Sequence, residues 1–431
     1  MLHVHRADRA DVLVEALGVL LAEPPPDPFA REVVCVATRG MERWLTQRLS
    51  GVLGTTAGRA DGVCANVEFP SPHRVVTGAI AAASGIEPQD DAWVAERMVW
   101  PLLEVVDACL GEPWLGVLAA HLDPDGDAPL GARRFGVVAH LAGLFDRYAL
   151  HRPEIVRAWA AGSQEHSPWQ SELWRRLRAR IATPSIAERL AGAEAALRED
   201  PALVDLPDRL ALFGLTRLPA GQLAVLRAIA ARRDVHLFLL HPSPALWERI
   251  GEVVDGGAPV RRGEDHTATV PANRLLASWG QDARELQLVL ADPGTDPAAD
   301  HHHPCQRPHD SLLARIQADV QADAPAPVSP LPGEHDRRAP LDPGDRSLQV
   351  HACHGRARQV EVLRDALLHL LQDDETLEPR DIIVMCPDIE TFAPHLTAVF
   401  GTADEQREGE RDQRGIPRLR VRMADRSLRE T

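Results

Sequence analysis

Residues 33–49, VVCVATRGMERWLTQRL, constrain the fold more than any other stretch of the chain. Val33-Val34-Cys35-Val36 is a short apolar run of the kind that forms a buried strand. Thr38-Arg39-Gly40 supplies a turn, after which Met41, Trp44, Leu45 and Leu49 recur at helical spacing. A strand feeding a helix through a Gly-containing turn is where a nucleotide-binding α/β protein cradles phosphate. Backbone N–H groups and the helix N-terminus do the holding, and a lysine reaches the terminal phosphates. The scaffold is here and that chemistry is not. No G-x-x-x-x-G-K-[ST] occurs, and the chain has no lysine, so its 47 basic side chains are all arginine. Schiff-base and lysine general-base mechanisms are excluded with it.

The rest of the chain extends this unit. Leu2 to His5 alternates as an opening strand, and Asp8 is placed to cap a helix over 10–22. A second strand over 65–69 and a helix over 73–83 complete a β–α–β–α opening, which predicts a parallel sheet covered by helices. From 90 to 199 the apolar residues recur only at three- and four-residue spacing, as in VAERMVWPLLEVV and SELWRRLRARI. Strand signals return at 210–213 and 235–240 around a helix over 221–231. Segments 256–271 and 292–308 are polar, rich in Pro and Gly, and read as loops. Residues 323–345 hold six prolines and read as a linker. Beyond them the pattern gives strands over 348–352, 381–386 and 419–422, with helices over 356–371 and 389–400.

The expected organisation is therefore a first α/β domain in two parts (1–85 and 206–322) with an all-helical insertion (86–205). A linker (323–345) leads to the start of a second α/β domain (346–431).

A net charge of −16 argues against a broad basic face for duplex DNA, but leaves room for a groove locally lined with arginine. Arginine suits such a groove, because its planar fork pairs with phosphate and stacks on bases. No apolar run approaches the roughly 20 residues needed to cross a bilayer, and the start lacks a signal-peptide core, so a cytoplasmic location is expected. The six cysteines are scattered without a C-x-x-C pair, which suggests neither a disulfide frame nor a zinc site. His301-His302-His303, with Cys305 and His309, has the residue types of a metal cluster. It lacks a second ligand group at fixed spacing, so a disordered loop is the favoured reading. No clustered carboxylates of a metal-dependent nuclease occur.

On the residues alone, Thr38-Arg39-Gly40 reads first as an ordinary turn with Arg39 solvated, and Trp44 as a packing residue. Arg43 lies off the apolar helix face. In Leu144-Phe145-Asp146-Arg147-Tyr148 the apolar residues read as helix core, and Tyr148 as structural. Asp146 has two readings of equal weight. It pairs with Arg147 or Arg152 as an exposed ion pair worth little, or it accepts a hydrogen bond from a base while Arg152 holds a phosphate.

Six blocks along the chain resemble, in order, the N-terminal region of the RecC family, the gamma subunit of exodeoxyribonuclease V (the RecBCD complex). They are GMERWL (40–45), ANVEFPSP (65–72), LFDRYALHRPE (144–154), LLASWGQDAREL (275–286), PLDPGDRSLQVHACHGRARQVEVLRDALL (340–368) and EPRDIIVMCPDIETFAPHLTAVFG (378–401). The resemblance implies superfamily-1 helicase-like (RecA-like, P-loop NTPase-type) domains with a degenerate ATP site and an inserted helical domain. It also implies a non-catalytic subunit that splits the duplex, channels single-stranded DNA and scans it for the Chi signal during double-strand break repair. RecB-like and RecD-like partners would carry ATP, Mg and the nuclease, and this chain would bind no cofactor. Family chains are much longer, which makes this sequence an expected N-terminal fragment.

Block by block, the resemblance puts Ala37, Thr38, Arg39, Arg43, Ser71, Leu144, Asp146, Arg147 and Arg152 on the surface that meets the single strand. Where this chain has Ala37, Arg39 and Arg43, the family pattern has small or amide-bearing polar side chains. Amides read adenine edges, whereas arginine prefers guanine or phosphate, so a different signal or none is expected here. Two rival readings stand beside this one: an ATP-dependent helicase in its own right, and a pure scaffold for its partners.

Overall fold

The structure is a computed structural model. It describes residues 1–401, 419 and 421–423, apart from 28, 57–58, 60–61, 123–130, 166, 255–261, 292–298, 306–309, 334, 337 and 339. Parts of both predicted loops, and His309, lie outside the described residues. The described chain groups into two compact units, 1–37 with 41–308 and 316–337, and 38–40 with 309–315 and 338–431.

The first unit is built on a parallel sheet of β1 (Leu2–Ala7), β2 (Glu32–Val36), β3 (Val67–Glu68), β4 (Arg209–Phe213), β5 (Asp234–Leu240) and β6 (Asp300–His302), ordered β3-β2-β4-β5-β1-β6. Its central strands are buried on both faces, which is why they read as continuous apolar runs. Val33, Cys35, Leu210, Leu212, Val235 and Leu237 face one core, whereas Val34, Val36, Ala211, Phe213 and Phe238 face the other.

The second face is covered by α1 (Ala10–Ala22) and α2 (Arg39–Ser50). Leu13, Leu17, Leu45 and Leu49 are buried there, and Trp44 packs on Phe213 with ring centroids 6.1 Å apart. On the first face the core runs without a break from the sheet into the helices α3 (Pro72–Ala83), α4 (Ala95–Cys109), α5 (Gly116–Leu122), α6 (Gly131–His151), α7 (Pro153–Ala160), α8 (Pro168–Ile181), α9 (Ile186–Glu199) and α10 (Ala220–Ala230). Trp159 and Trp174 are fully buried at its centre, and Tyr148 rests edge-on against Trp159.

Gly221 on α10 explains how closely that helix approaches α6. A Cβ there would lie 2.8 Å from the Leu150 carbonyl oxygen and 3.4 Å from Leu190 Cδ2. Backbone cannot yield as a side-chain tip can, so Gly221→Ala is expected to cost about 1–3 kcal/mol. Urea unfolding followed by tryptophan fluorescence checks this, and a variant as stable as the parent would show that the helices have slack.

Several expectations are corrected. The residue before α1 is Arg9, with no side-chain cap. Asp8 instead accepts from the Gln321 amide. His301 and His302 do not lie in a disordered loop, because β6 pairs with β1 through Val4↔Asp300, His5↔His301 and Arg6↔His302. Asp323, the first residue of the expected linker, is anchored in the first unit. Asp323 has a side-chain exposure of 0%, pairs with Arg249, and accepts from the N–H groups of Ala272 (3.0 Å) and Asn273 (2.8 Å). Asn273 in turn caps α12 (Arg274–Ser278), which precedes α13 (Gln281–Leu290). α11 (Pro244–Val253) follows β5, and α14 (Leu312–Gln321) follows β6.

In the second unit, α15 (Arg356–Asp373) and α16 (Ile389–Phe400) share a small core of Val360, Leu367, Leu396 and Phe400. Arg356 opens α15, and Arg358 pairs with Glu361 at 2.7 Å. The strands expected over 348–352, 381–386 and 419–422 do not form among the described residues. Ile382, Leu419 and Val421 still lean on the two helices, but a strand also needs a ladder partner for its backbone, and no described segment supplies one. Val350 and Met385 stay exposed.

Candidate nucleic-acid interface

Of the expected site residues, Ala37 and Ser71 lie where β2 ends and α3 begins. Ala37 is exposed just after β2. The Val36 N–H donates to the Pro70 carbonyl at 3.1 Å, which joins the end of β2 to the residue before Ser71. Ser71 is the N-cap of α3 and accepts from the Arg74 N–H at 3.2 Å, so its hydroxyl already has a structural task. Thr38, Arg39 and Arg43 are exposed, and Arg39 is the first residue of α2. Leu144 is half-buried against the large core.

Asp146 does not form the exposed ion pair that one sequence reading gave it. It points inward from α6 and is only 8% exposed. Its partner is neither Arg147 nor Arg152. Asp146 Oδ2 lies 3.0 Å from His73 Nε2 on α3, while its Oδ1 is buried with no hydrogen-bond partner among the described residues. The His73 side chain is 42% exposed. Its bond to the Asp146 carboxylate raises its pKa above the usual histidine value, against the opposing effect of burial.

A basic corner surrounds this pair. His151, at the end of α6, is shifted the other way. Burial lowers its pKa first, and the positive charges of Arg147, His73, Arg217 and Arg152 lower it further. Arg147, Arg152 and Arg217 are exposed, and Arg217, in the turn after β4, pairs with Asp282 at 2.8 Å. Arg152 precedes α7 and borders a cleft with Glu154, Trp159 and Glu165. Two carboxylates make that cleft a poor phosphate seat, so the side facing His151 and Arg147 is the electropositive one.

The corner thus brings together Ala37, Ser71, Asp146, Arg147 and Arg152, and adds three residues that sequence reasoning missed: His73, His151 and Arg217. A signal for two of them was available, since His73 directly follows the ANVEFPSP block and His151 lies inside LFDRYALHRPE.

The family model for the RecC N-terminal domain matches residues 2–323. The chain belongs to the RecC family. It is 45% identical over 439 residues to the RecBCD enzyme subunit RecC of Mycobacterium tuberculosis, across the whole of this chain and 38% of that relative. The RecC of Mycolicibacterium smegmatis is 44% identical over 442 residues, with the same coverage. The RecC of Escherichia coli is 30% identical over 450 residues, covering 94% of this chain and 39% of its own. This RecC-family chain therefore spans about two fifths of the length of those relatives. The span matched by the family model contains every residue of the basic corner, whereas α15 and α16 lie beyond it.

Proposed function

We propose that this chain is part of the DNA-guiding, non-catalytic gamma subunit of a RecBCD-type helicase–nuclease acting in double-strand break repair. It lies in the cytoplasm beside RecB-like and RecD-like partners that carry ATP, Mg and the nuclease. The helices over 86–205 are an insertion in a helicase-like domain. The chain splits the duplex end and leads a single strand over the basic corner on its way to being scanned for a Chi-type signal. The observation that carries this reading is the family match over 2–323, within which the corner sits. Phosphate contacts by Arg147, Arg152 and Arg217 hold the strand, with Ala37, Arg43, Ser71 and Leu144 along its path.

The rival reading, a helicase with its own nucleotide, is weakened at a second place besides the missing lysine. β1 is an interior strand, and the turn leaving its C-terminal end opens where parallel α/β sheets bind ligands. The first turn of α1 holds Asp11, which takes the Arg9 guanidinium at 2.8 Å and the Val12 N–H at 3.1 Å. A carboxylate seated on those groups repels phosphate. Saturable micromolar binding of ATP to this chain would overturn the proposal.

In the assembled complex, replacing Arg147, Arg152 and Arg217 together by Ala is expected to weaken binding of a single strand. It should also lower the slope of log K against log salt by about 2, at about 0.7 per lost phosphate contact. Unchanged affinity and slope would favour a pure scaffold.

A further inference from the structure

We propose that His73 is the group that presents positive charge to a backbone phosphate at the basic corner, and that Asp146 is its positioning residue and not a base-reading one. The inference rests on the single-strand path proposed above.

Three observations lead to it. The Asp146 side chain is 11% exposed, so its carboxylate cannot be approached broadly by a base edge, whereas the His73 side chain, at 42% exposure, can. The pair is joined through Nε2 and Oδ2 at 3.0 Å, and no described residue bonds His73 Nδ1. A doubly protonated imidazole held by a carboxylate on one nitrogen offers its other N–H as a charge-assisted donor, for which a phosphodiester oxygen is the matching acceptor. His73 is also the second residue of α3, whose first turn contains no acidic side chain, so the helix end adds to the attraction for an anion.

The groups facing the ring come from three elements besides its own. Asp146 on α6 and Glu96 on α4 favour its proton. His151 and Arg147 on α6, with Arg217 after β4, gather on the same corner. The hydrogen bond to Asp146 is the largest of these influences, so the proton stays on His73 at a higher pH than on a free histidine. Affinity for a phosphate is therefore fully present on the acid side of the raised pKa and is lost as pH rises through it.

The asymmetry of Asp146 is consistent with a holding role. One oxygen serves His73, and the other is buried without a partner among the described residues, a cost that only a fixed charge partner offsets. A carboxylate used to read a base amine would need that second oxygen at the surface.

The test is fluorescence anisotropy with a labelled oligo-dT strand and the assembled complex, from about pH 6 to about pH 9, bracketing and exceeding the ordinary histidine value. The parent should lose about tenfold in affinity across the range as one charged hydrogen bond disappears. Its salt slope should fall by about 0.7. His73→Gln should bind at the weak level throughout, and His73→Arg should hold the strong level with no pH dependence. Asp146→Asn should keep acid-side affinity but move the transition to lower pH. Thermal unfolding of each variant separates misfolding from lost contact, and His73→Arg keeps the test decisive if His73→Gln folds poorly. A His73→Gln profile equal to the parent's would overturn the inference and leave the strand path standing. So would an Asp146→Asn variant that folds but binds weakly at every pH, because Asp146 would then be the contact. A parent complex with no affinity for oligo-dT would overturn both.

Discussion

Acidifying the protein from about pH 7 to about pH 4 is expected to remove on the order of 5 kcal/mol of stability from the first unit. The cause is a group of imidazoles on the β5–β1–β6 side of the sheet. His5 is bonded at both ring nitrogens, to His303 Nε2 through Nδ1 and to His236 Nδ1 through Nε2, each at 3.1 Å, and His3 Nδ1 meets His301 Nε2 at 3.2 Å. Between neutral rings each such contact needs one donor and one acceptor, and an imidazolium has no acceptor. At His5, which is bonded at both nitrogens, adding a proton therefore removes the acceptor as well as burying a charge. Burial is the largest influence and pushes His5 down to about 3 and His236 to about 4, with the neighbouring imidazoles contributing. His241, after β5, is pushed down to about 4 by burial and then by Arg6.

These pKa values are lower in the folded than in the unfolded chain, so the unfolded state binds more protons. Stability is then complete above about 6.5 and falls as pH drops through the folded values. His236 and His241 are 7% and 4% exposed and carry most of the effect, while the half-buried His5 is discounted for solvent screening. Urea unfolding at a series of pH values measures the slope. His236→Phe, which can stack on the neighbouring Phe238, should flatten it by about a third or more. An equally steep fall in that variant would place the acid sensitivity elsewhere.

Whether a feature could be read from the sequence depended on the range of the interaction that made it. The run Val33 to Val36 and the helix face of Met41, Trp44, Leu45 and Leu49 were readable because local pattern and final burial agree. β6 was not. Its residues, Asp300 to His302, are polar, and they form a strand because β1, some 300 residues earlier, offers both a backbone ladder and matching imidazoles. The His73–Asp146 pair was hidden in the same way. Nearness in sequence suggested Arg147 or Arg152, one and six residues along, as partners, but α6 turns Asp146 toward α3 and leaves both arginines exposed. In the second unit the error ran in the opposite direction. Leu348 to Ala352 and Asp381 to Cys386 have the composition of strands, yet composition does not supply the neighbouring strand that the backbone requires. Asp8 looked like a helix cap by position, and a partner from 313 residues away took its carboxylate.

A second large effect is expected at Asp91, where Asp91→Ala should cost about 3–5 kcal/mol. The carboxylate is 2% exposed. It takes the Arg189 guanidinium on α9 at 2.6 Å, with Arg189 itself 6% exposed, and its other oxygen accepts the Trp93 N–H at 3.1 Å. Arg189 already has Nε and Nη1 buried without partners among the described residues, so removing Asp91 leaves a whole guanidinium charge in the core uncompensated. The contrast with Arg180 and Glu104 makes the point quantitative. That pair is equally short at 2.6 Å, but both side chains are more than half exposed, and Glu104→Ala should cost less than about 1 kcal/mol. Distance is the same, so burial decides. Taking out both members of the buried pair, as Asp91→Leu with Arg189→Met, should recover most of the loss, because the desolvation cost leaves with the charges. Equilibrium unfolding of the two single variants and the double closes the cycle. A double variant as unstable as Asp91→Ala would show that the ion pair is not what holds this junction. The result bears on the basic corner too, since α9 packs directly against α3, the helix that carries Ser71 and His73.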